Sequence, residues 1–137
     1  GKNAVSESKK TIAAFNAFSA LPALDLASTP LLDSLYAKLT QVLWRDAGIE
    51  RSKSTLSRGL REITKLKQLS QFQPLSLANL EVQNSLLLAQ LITSSAFERE
   101  ESRGVHYRTD FPKKSEEWKK HLAYSKNNAP PKLVEIP

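Results

Sequence analysis

The chain has 137 residues, with 20 Lys+Arg against 14 Asp+Glu, a net charge of +6, two histidines and no cysteine. That length holds one modest core, and without cysteine neither a disulfide framework nor a thiolate metal site can form. A hydrophobic content of 40% with no run of about 18 apolar residues fits a soluble globular domain and not a membrane span.

Lys+Arg minus Asp+Glu is +1 over residues 1–29, +4 over 30–69, −3 over 70–102 and +4 over 103–137. Alternating signs complement one another within a bundle. A nucleic-acid site would need one unbroken basic face. The lack of cysteine and of a secretory pattern points to a reducing, cytoplasmic setting. Methionine is absent too, which suits a piece of a longer polypeptide.

Residues 1–29 begin polar and turn mildly apolar around Ile12, Phe15, Phe18 and Leu21. They read as a linker, or as a segment docked onto something else. Ser28-Thr29-Pro30 is a helix start, with a hydroxyl cap followed by proline at the first turn. Leu31, Leu32, Leu35, Leu39, Val42 and Leu43 follow at helical spacing, and Gly48 supplies the stop. Trp44 and Ile49 are expected to close that end against a neighbour. Ser52 or Ser54 caps a second helix, whose stripe is Leu56, Leu60, Ile63, Leu66 and Leu69. Gln71-Phe72-Gln73-Pro74 breaks it.

A third helix opens at Ser76, with Leu75 and Leu80 placed as a hydrophobic staple. Run to residue 102 it would span about 40 Å. Its apolar residues cover more than one face, so two neighbouring helices leave some of them to be covered by something else. Gly104 ends it. Trp118, His121 and Tyr124 sit in a short extended segment, and Asn127, Asn128, Pro130, Pro131 and Pro137 predict a mobile tail.

The expected architecture is therefore all-α: a three-helix, up-down-up antiparallel bundle, spectrin-repeat-like, over 30–112. Residues 113–137 form an irregular C-terminal extension.

The densest chemistry lies at Glu98–Pro112. Ser102, His106 and Asp110 recur at intervals of four, but Gly104 and Pro112 break any helix that would align them. A polar structural cluster is the better reading than a triad. His106 and His121 lack partners at metal-ligand spacing. Glycines at 1, 48, 59 and 104 spell no phosphate loop. Lys53, Arg58, Arg61, Lys65 and Lys67 lack interleaved aromatics for base stacking, so a solvated face fits them better. Arg103 and Arg108 are suited to carbonyls or carboxylates at a partly buried junction, either with Glu98, Glu100, Glu101 or Asp110 of the same chain or across a domain boundary.

Glu-Ser-Arg-Gly-Val-His-Tyr-Arg-Thr-Asp-Phe-Pro at 101–112 resembles the signature in the C-terminal helical domain of flavoproteins related to succinate dehydrogenase, fumarate reductase and L-aspartate oxidase. Tyr107-Arg108 with Asp110-Phe111-Pro112 looks most like L-aspartate oxidase. Residues 43–52 (Leu-Trp-Arg-Asp-Ala-Gly-Ile-Glu-Arg-Ser) resemble the family's turn between its first two helices, and 80–96 its third helix. Trp118 and His121 fit its continuation.

The resemblance implies a parent enzyme that uses FAD to convert L-aspartate to iminoaspartate on the route to NAD, with FAD site and catalytic residues in preceding domains. No catalytic, cofactor or metal residue transfers to this chain. Arg103, His106, Tyr107, Arg108 and Asp110 transfer as an interdomain contact with the FAD-binding and capping domains. A dimer through the exposed docking face is a further expectation. The alternatives are the same domain of a succinate dehydrogenase or fumarate reductase flavoprotein, or a free-standing helical module that binds protein or RNA. By either flavoprotein reading, some of Phe97, Val105, Tyr107 and Phe111 should be open to solvent.

Overall fold

The computed structural model describes residues 29–73, 75–125 and 128–135. Three helices lead the chain: α1 (Pro30–Ala47), α2 (Lys53–Gln71) and α3 (Leu77–Glu98). Two-residue strands β1 (Glu50–Arg51) and β2 (Tyr107–Arg108) follow α1 and α3 and pair in parallel. A 3-10 turn (Glu116–Trp118) leads into β3 (Lys120–Ser125) and β4 (Asn128–Glu135), which form an antiparallel hairpin. The 1–29 expectation lies outside the described residues apart from Thr29.

The helices begin where their hydroxyls predict. Thr29 Oγ1 accepts from the Leu32 amide at 3.2 Å, and Pro30 occupies the first turn. Ser52, rather than Ser54, caps α2, and Thr55 completes a reciprocal capping box. Ser76 Oγ accepts from the Asn79 amide at 3.1 Å. Each such cap contributes about 1 kcal/mol. Each helix packs on the other two. Between them lie Leu32, Leu35, Leu39 and Val42 of α1, Ile63 and Leu66 of α2, and Val82, Leu86 and Ala89 of α3. Burying a side chain of this kind is worth about 1.5–3 kcal/mol.

A carboxylate stands among these apolar contacts. Asp46, fully buried, accepts from Arg45 Nε at 3.0 Å and from Arg58 Nε at 2.9 Å, so it ties the end of α1 to α2. Gly59 lets the helices close over it. A Cβ at Gly59 would stand 3.0 Å from Asp46 Cβ and 3.7 Å from Thr93 Cγ2. Gly48 is demanded by a closer approach, since a Cβ there would meet the Trp44 carbonyl oxygen.

The structure corrects several expectations. The fold is not all-α, because the described part of the C-terminal extension is not irregular throughout: Lys120–Ser125 and Asn128–Glu135 pair as the β3–β4 hairpin, while the tail expectation at Asn127 and Pro137 lies outside the described residues. Asn and Pro read as tail-like composition, yet a two-stranded sheet has two edges and tolerates proline there. The ladder shifts register between Ala123, paired with Lys132, and Ser125, paired with Asn128, so the irregular stretch is the one that includes Pro130 and Pro131. Arg99 secures the hairpin by donating to the Trp118 and Lys120 carbonyls, each at 2.6 Å. The third helix stops at Glu98 instead of 102, for a reason that lies in the loop beyond it. Trp44 (79% exposed), Ile49 and Leu75 point to solvent, so neither the expected closure of α1 nor the staple forms. Leu87, Leu88 and Ile92 of α3 are half exposed, as a helix apolar on several faces predicts. No described helix is long and apolar enough to cross a membrane.

Two substitutions test this packing by chemical denaturation. Gly59→Val should destabilise by about 2–3 kcal/mol, since it overpacks the Asp46 contact. Thr93→Val should be neutral or stabilising by up to about 1 kcal/mol, because the buried Thr93 Oγ1 has no hydrogen-bond partner among the described residues.

Candidate functional site

The loop from Arg99 to Ser115 is built around Arg108, whose side chain is 1% exposed. An α-helix ends with carbonyls that have no partner in the helix. Arg108 Nη1 supplies one, donating to the carbonyls of Ala96, Phe97 and Arg99 at 2.8, 2.9 and 3.1 Å. Its Nε and Nη2 donate to the two oxygens of Asp110, both at 2.8 Å. Asp110 Oδ2 also accepts from the Lys53 amide, the first residue of α2, at 2.8 Å. One ion pair therefore joins the C-terminus of α3 to the N-terminus of α2, with each charge at the helix end that favours it. This is what stops α3 at Glu98.

A second centre is Glu101, which is fully buried. It accepts from Arg99 Nη1 at 2.7 Å, Arg103 Nε at 3.0 Å and the Ser115 amide at 2.9 Å. Burial alone would raise its pKa. The bonds from Arg103, Ser115 and Arg99 outweigh that and hold the carboxyl at about 2. The Arg108 hydrogen bond, joined by the Lys53 amide, likewise keeps Asp110 well below the usual carboxylate range.

Ser102 Oγ accepts from the Arg108 amide at 2.9 Å and donates to the Phe111 carbonyl at 2.8 Å. Arg103 and His106 exchange backbone bonds across the turn at Gly104 and Val105, where Gly104 takes φ +59. His106 receives Arg51 Nη1 at Nδ1, 2.9 Å away, so Nδ1 is the acceptor and Nε2 carries the proton toward the Arg99 carbonyl at 3.3 Å. The ring is neutral in this arrangement. Burial, and then the three nearby guanidinium groups, push its pKa down.

The five residues singled out from sequence thus share one loop but not one role. Arg108 is an internal clamp, and Asp110, its side chain 30% exposed, is the carboxylate it holds. Arg103, one third exposed, serves Glu101 and the Ser115 carbonyl. His106 is half-buried, and Tyr107 is 43% exposed. Of the acidic partners considered for the arginines, Glu101 and Asp110 are the ones used. Val105 is 93% exposed, while Phe97 and Phe111 are half-buried, so the loop does leave apolar surface open. Sequence reasoning does not single out Arg51 and Arg99, whose one signal is a basic residue beside a turn. No bond joins Ser102 to His106, and each is spent on other partners, so the spacing of four is not a triad.

Among the described residues no three His or carboxylate side chains gather as metal ligands. The grooves beside the loop are open clefts of about 310 and 380 Å3. The arrangement can position a surface.

Arg108→Lys should cost about 3 kcal/mol in urea unfolding, since a lysine cannot serve three carbonyls and a carboxylate together. Glu101→Gln should cost a similar amount, about 3 kcal/mol, by leaving two guanidinium groups without their carboxylate. The folded pKa of Glu101 lies below its ordinary 4.5, so its contribution is complete above pH 4.5 and fades as pH falls toward 2. Stability measured against pH should lose that acid limb in Glu101→Gln.

The model of the family described as "Fumarate reductase flavoprotein C-term" matches residues 36–136. Similar curated proteins include one from Methanothermobacter marburgensis, the first subunit of its fumarate reductase (CoM/CoB), 35% identical over 68% of this chain and 19% of that protein. L-Aspartate oxidase of Synechocystis is 33% identical over 66% of this chain and 21% of its own length. That of Pyrococcus horikoshii is 43% identical over 54% and 13%. The chain thus spans about a fifth or less of these relatives. Solved structures share the fold: E. coli quinol fumarate reductase FrdA, at TM-score 0.61 and 14% identity, covers 94% of this chain and 24% of its own. Mycobacterium smegmatis Sdh1 in complex with UQ1, at 0.58 and 22%, covers 89% and 23%. The chain belongs to the C-terminal domain family of the succinate dehydrogenase and fumarate reductase flavoproteins.

Proposed function

We propose that this chain is the C-terminal domain of an FAD-dependent L-aspartate oxidase, and that it braces the flavin-binding and capping domains around the substrate. The observation that carries the brace is the division of labour in the loop. Its buried charges are satisfied internally, while Val105 and Tyr107 stand outward on a backbone fixed by Arg108 and Glu101. A preorganised apolar tip loses little entropy on docking. In this reading Tyr107, His106 and Arg103 meet the adjoining domain, while Arg108 and Asp110 hold the loop in shape for them. The helical unit is 30–112, an up-down-up bundle, and β3 meets it where the Tyr124 hydroxyl bonds Ser95 and the Lys120 carbonyl bonds Arg99.

The aspartate assignment draws on the Tyr107–Pro112 sequence and on relatives named L-aspartate oxidase. A fumarate reductase or succinate dehydrogenase flavoprotein is the second reading, favoured by the methanogen relative and the solved structures. In either, the flavin exchanges two electrons with the substrate, taking them from aspartate or succinate and giving them to fumarate, and its site belongs to other parts of the polypeptide. This chain's share is geometric: Arg108 and Asp110 fix α2 against α3, and the loop they shape excludes water from a domain junction.

The polypeptide carrying this chain should release peroxide on addition of L-aspartate and give no comparable turnover with succinate. Succinate-dependent dye reduction without aspartate turnover would transfer the assignment to the second reading. The 137-residue chain by itself should be colourless and inert toward aspartate; a flavin spectrum in the purified chain would overturn the brace.

A further inference from the structure

Four guanidinium groups converge at the end of α3, against three carboxylates, of which Glu116 is exposed and stands 4.0 Å from Arg103. Asp110 matches Arg108, and Glu101 is shared by Arg99 and Arg103. Arg51 has none of the three. Its Nε is held by the Ala47 and Gly48 carbonyls at 3.1 and 2.8 Å, and its Nη1 by the neutral ring of His106. No acceptor among the described residues meets its Nη2. Burial pushes the Arg51 pKa down, with no counter-charge acting the other way. A partly buried cation with carbonyl and imidazole acceptors but no counter-charge carries a cost that an incoming anion would offset.

Arg51 lines a groove of about 310 Å3. Arg51, Ser95, Arg99 and His106 supply its polar lining, while Leu91, Ile92 and Ala96 of α3 supply an apolar one. Ile92 is 49% exposed there, and Val105 and Tyr107 flank His106 in the chain, both exposed.

We propose that this groove binds a carboxylate, and that the carboxylate is an aspartate or glutamate side chain of the domain that covers the loop in the longer flavoprotein. The source rests on the reading of the chain as a C-terminal brace; the site does not. Charge complementarity selects the anion: Arg51 Nη2 is a free donor, and Arg99 adds positive charge beside it. The apolar lining selects the carrier, because Leu91 and Ile92 gain from an occupant that brings apolar surface with its charge.

The site is tested on the 137-residue chain by NMR at fixed ionic strength, with a blocked pentapeptide Ala-Leu-Glu-Leu-Ala as probe. Its glutamine counterpart is the control. The glutamate peptide should give saturable shifts at the Arg51 Nε–H and Ile92 methyl signals. Binding should be about tenfold weaker or worse for the glutamine peptide and for Arg51→Gln, and retained in part by Arg51→Lys. Unchanged leucine and isoleucine methyl dispersion shows that the variants remain folded. Equal binding of both peptides, or undiminished binding to Arg51→Gln, overturns the site. Sodium acetate binding as tightly as the peptide overturns the protein side chain as its occupant.

In the parent flavoprotein, Arg51→Gln should speed hydrogen exchange over 91–96 and 103–108 about tenfold while flavin is retained. Unchanged exchange there overturns the docking role. A parent polypeptide without flavin would sink the oxidase reading alone, since the peptide measurement decides the site independently.

Discussion

One guanidinium decides where this domain's longest helix ends. Arg108 is enclosed, and its donors are divided between the last carbonyls of α3 and a carboxylate that in turn receives the first amide of α2. Two helix ends that would each have needed water are closed by one pair of side chains two residues apart. Buried ion pairs are costly unless their remaining donors and acceptors are met. Here they are met by backbone, which also fixes the geometry: a shift of α3 along its axis would break the carbonyl bonds, and a shift of α2 would break the Asp110 contact. The loop cannot drift without the helices, nor the helices without the loop.

Glu101 repeats the arrangement within the same loop. A buried carboxylate is unfavourable alone, yet two arginines and an amide hold it ionised, and through Arg99 it reaches the carbonyls that anchor the hairpin. Asp46 does the same between α1 and α2, with Arg45 and Arg58 lying partly in solvent over it. All three centres pair a well-enclosed group with arginine forks. The planar fork serves a carboxylate and a carbonyl together, which suits arginine at Arg99, Arg103 and Arg108 better than lysine.

The helical part of the fold is legible in the sequence because its determinants are local. Thr29-Pro30, Ser52 and Ser76 announce their helices within four residues, and the leucine spacings show which faces meet. The end of α3 is not, because its determinant, Arg108, lies ten residues beyond Glu98 and acts through space. Gly104 looks like the stop, but its positive φ serves the turn between Arg103 and His106. The hairpin escapes for a related reason: Pro130 and Pro131 argue against a strand only where both edges are paired. Trp44 and Ile49 belong inside by hydrophobicity and are outside. The loop is recognisable as chemically dense, with Glu101 and Asp110 among its foreseeable partners. What spacing cannot separate is inward from outward, so Arg108 and Tyr107, adjacent in sequence, look alike.

That adjacency has a mechanical meaning. β2 is only two residues long, and alternation along a strand sends neighbouring side chains to opposite faces. Arg108 goes in, Tyr107 out, and the parallel pairing of β2 with β1 places Glu50 beside Tyr107 and Arg51 beside Arg108. Fixing Arg108 therefore fixes the direction of Tyr107, and through His106 the position of Arg51. The outward face inherits its rigidity from the inward one. In a family whose members are several times longer than this chain, a surface set in this way can meet a neighbouring domain without first being ordered by it.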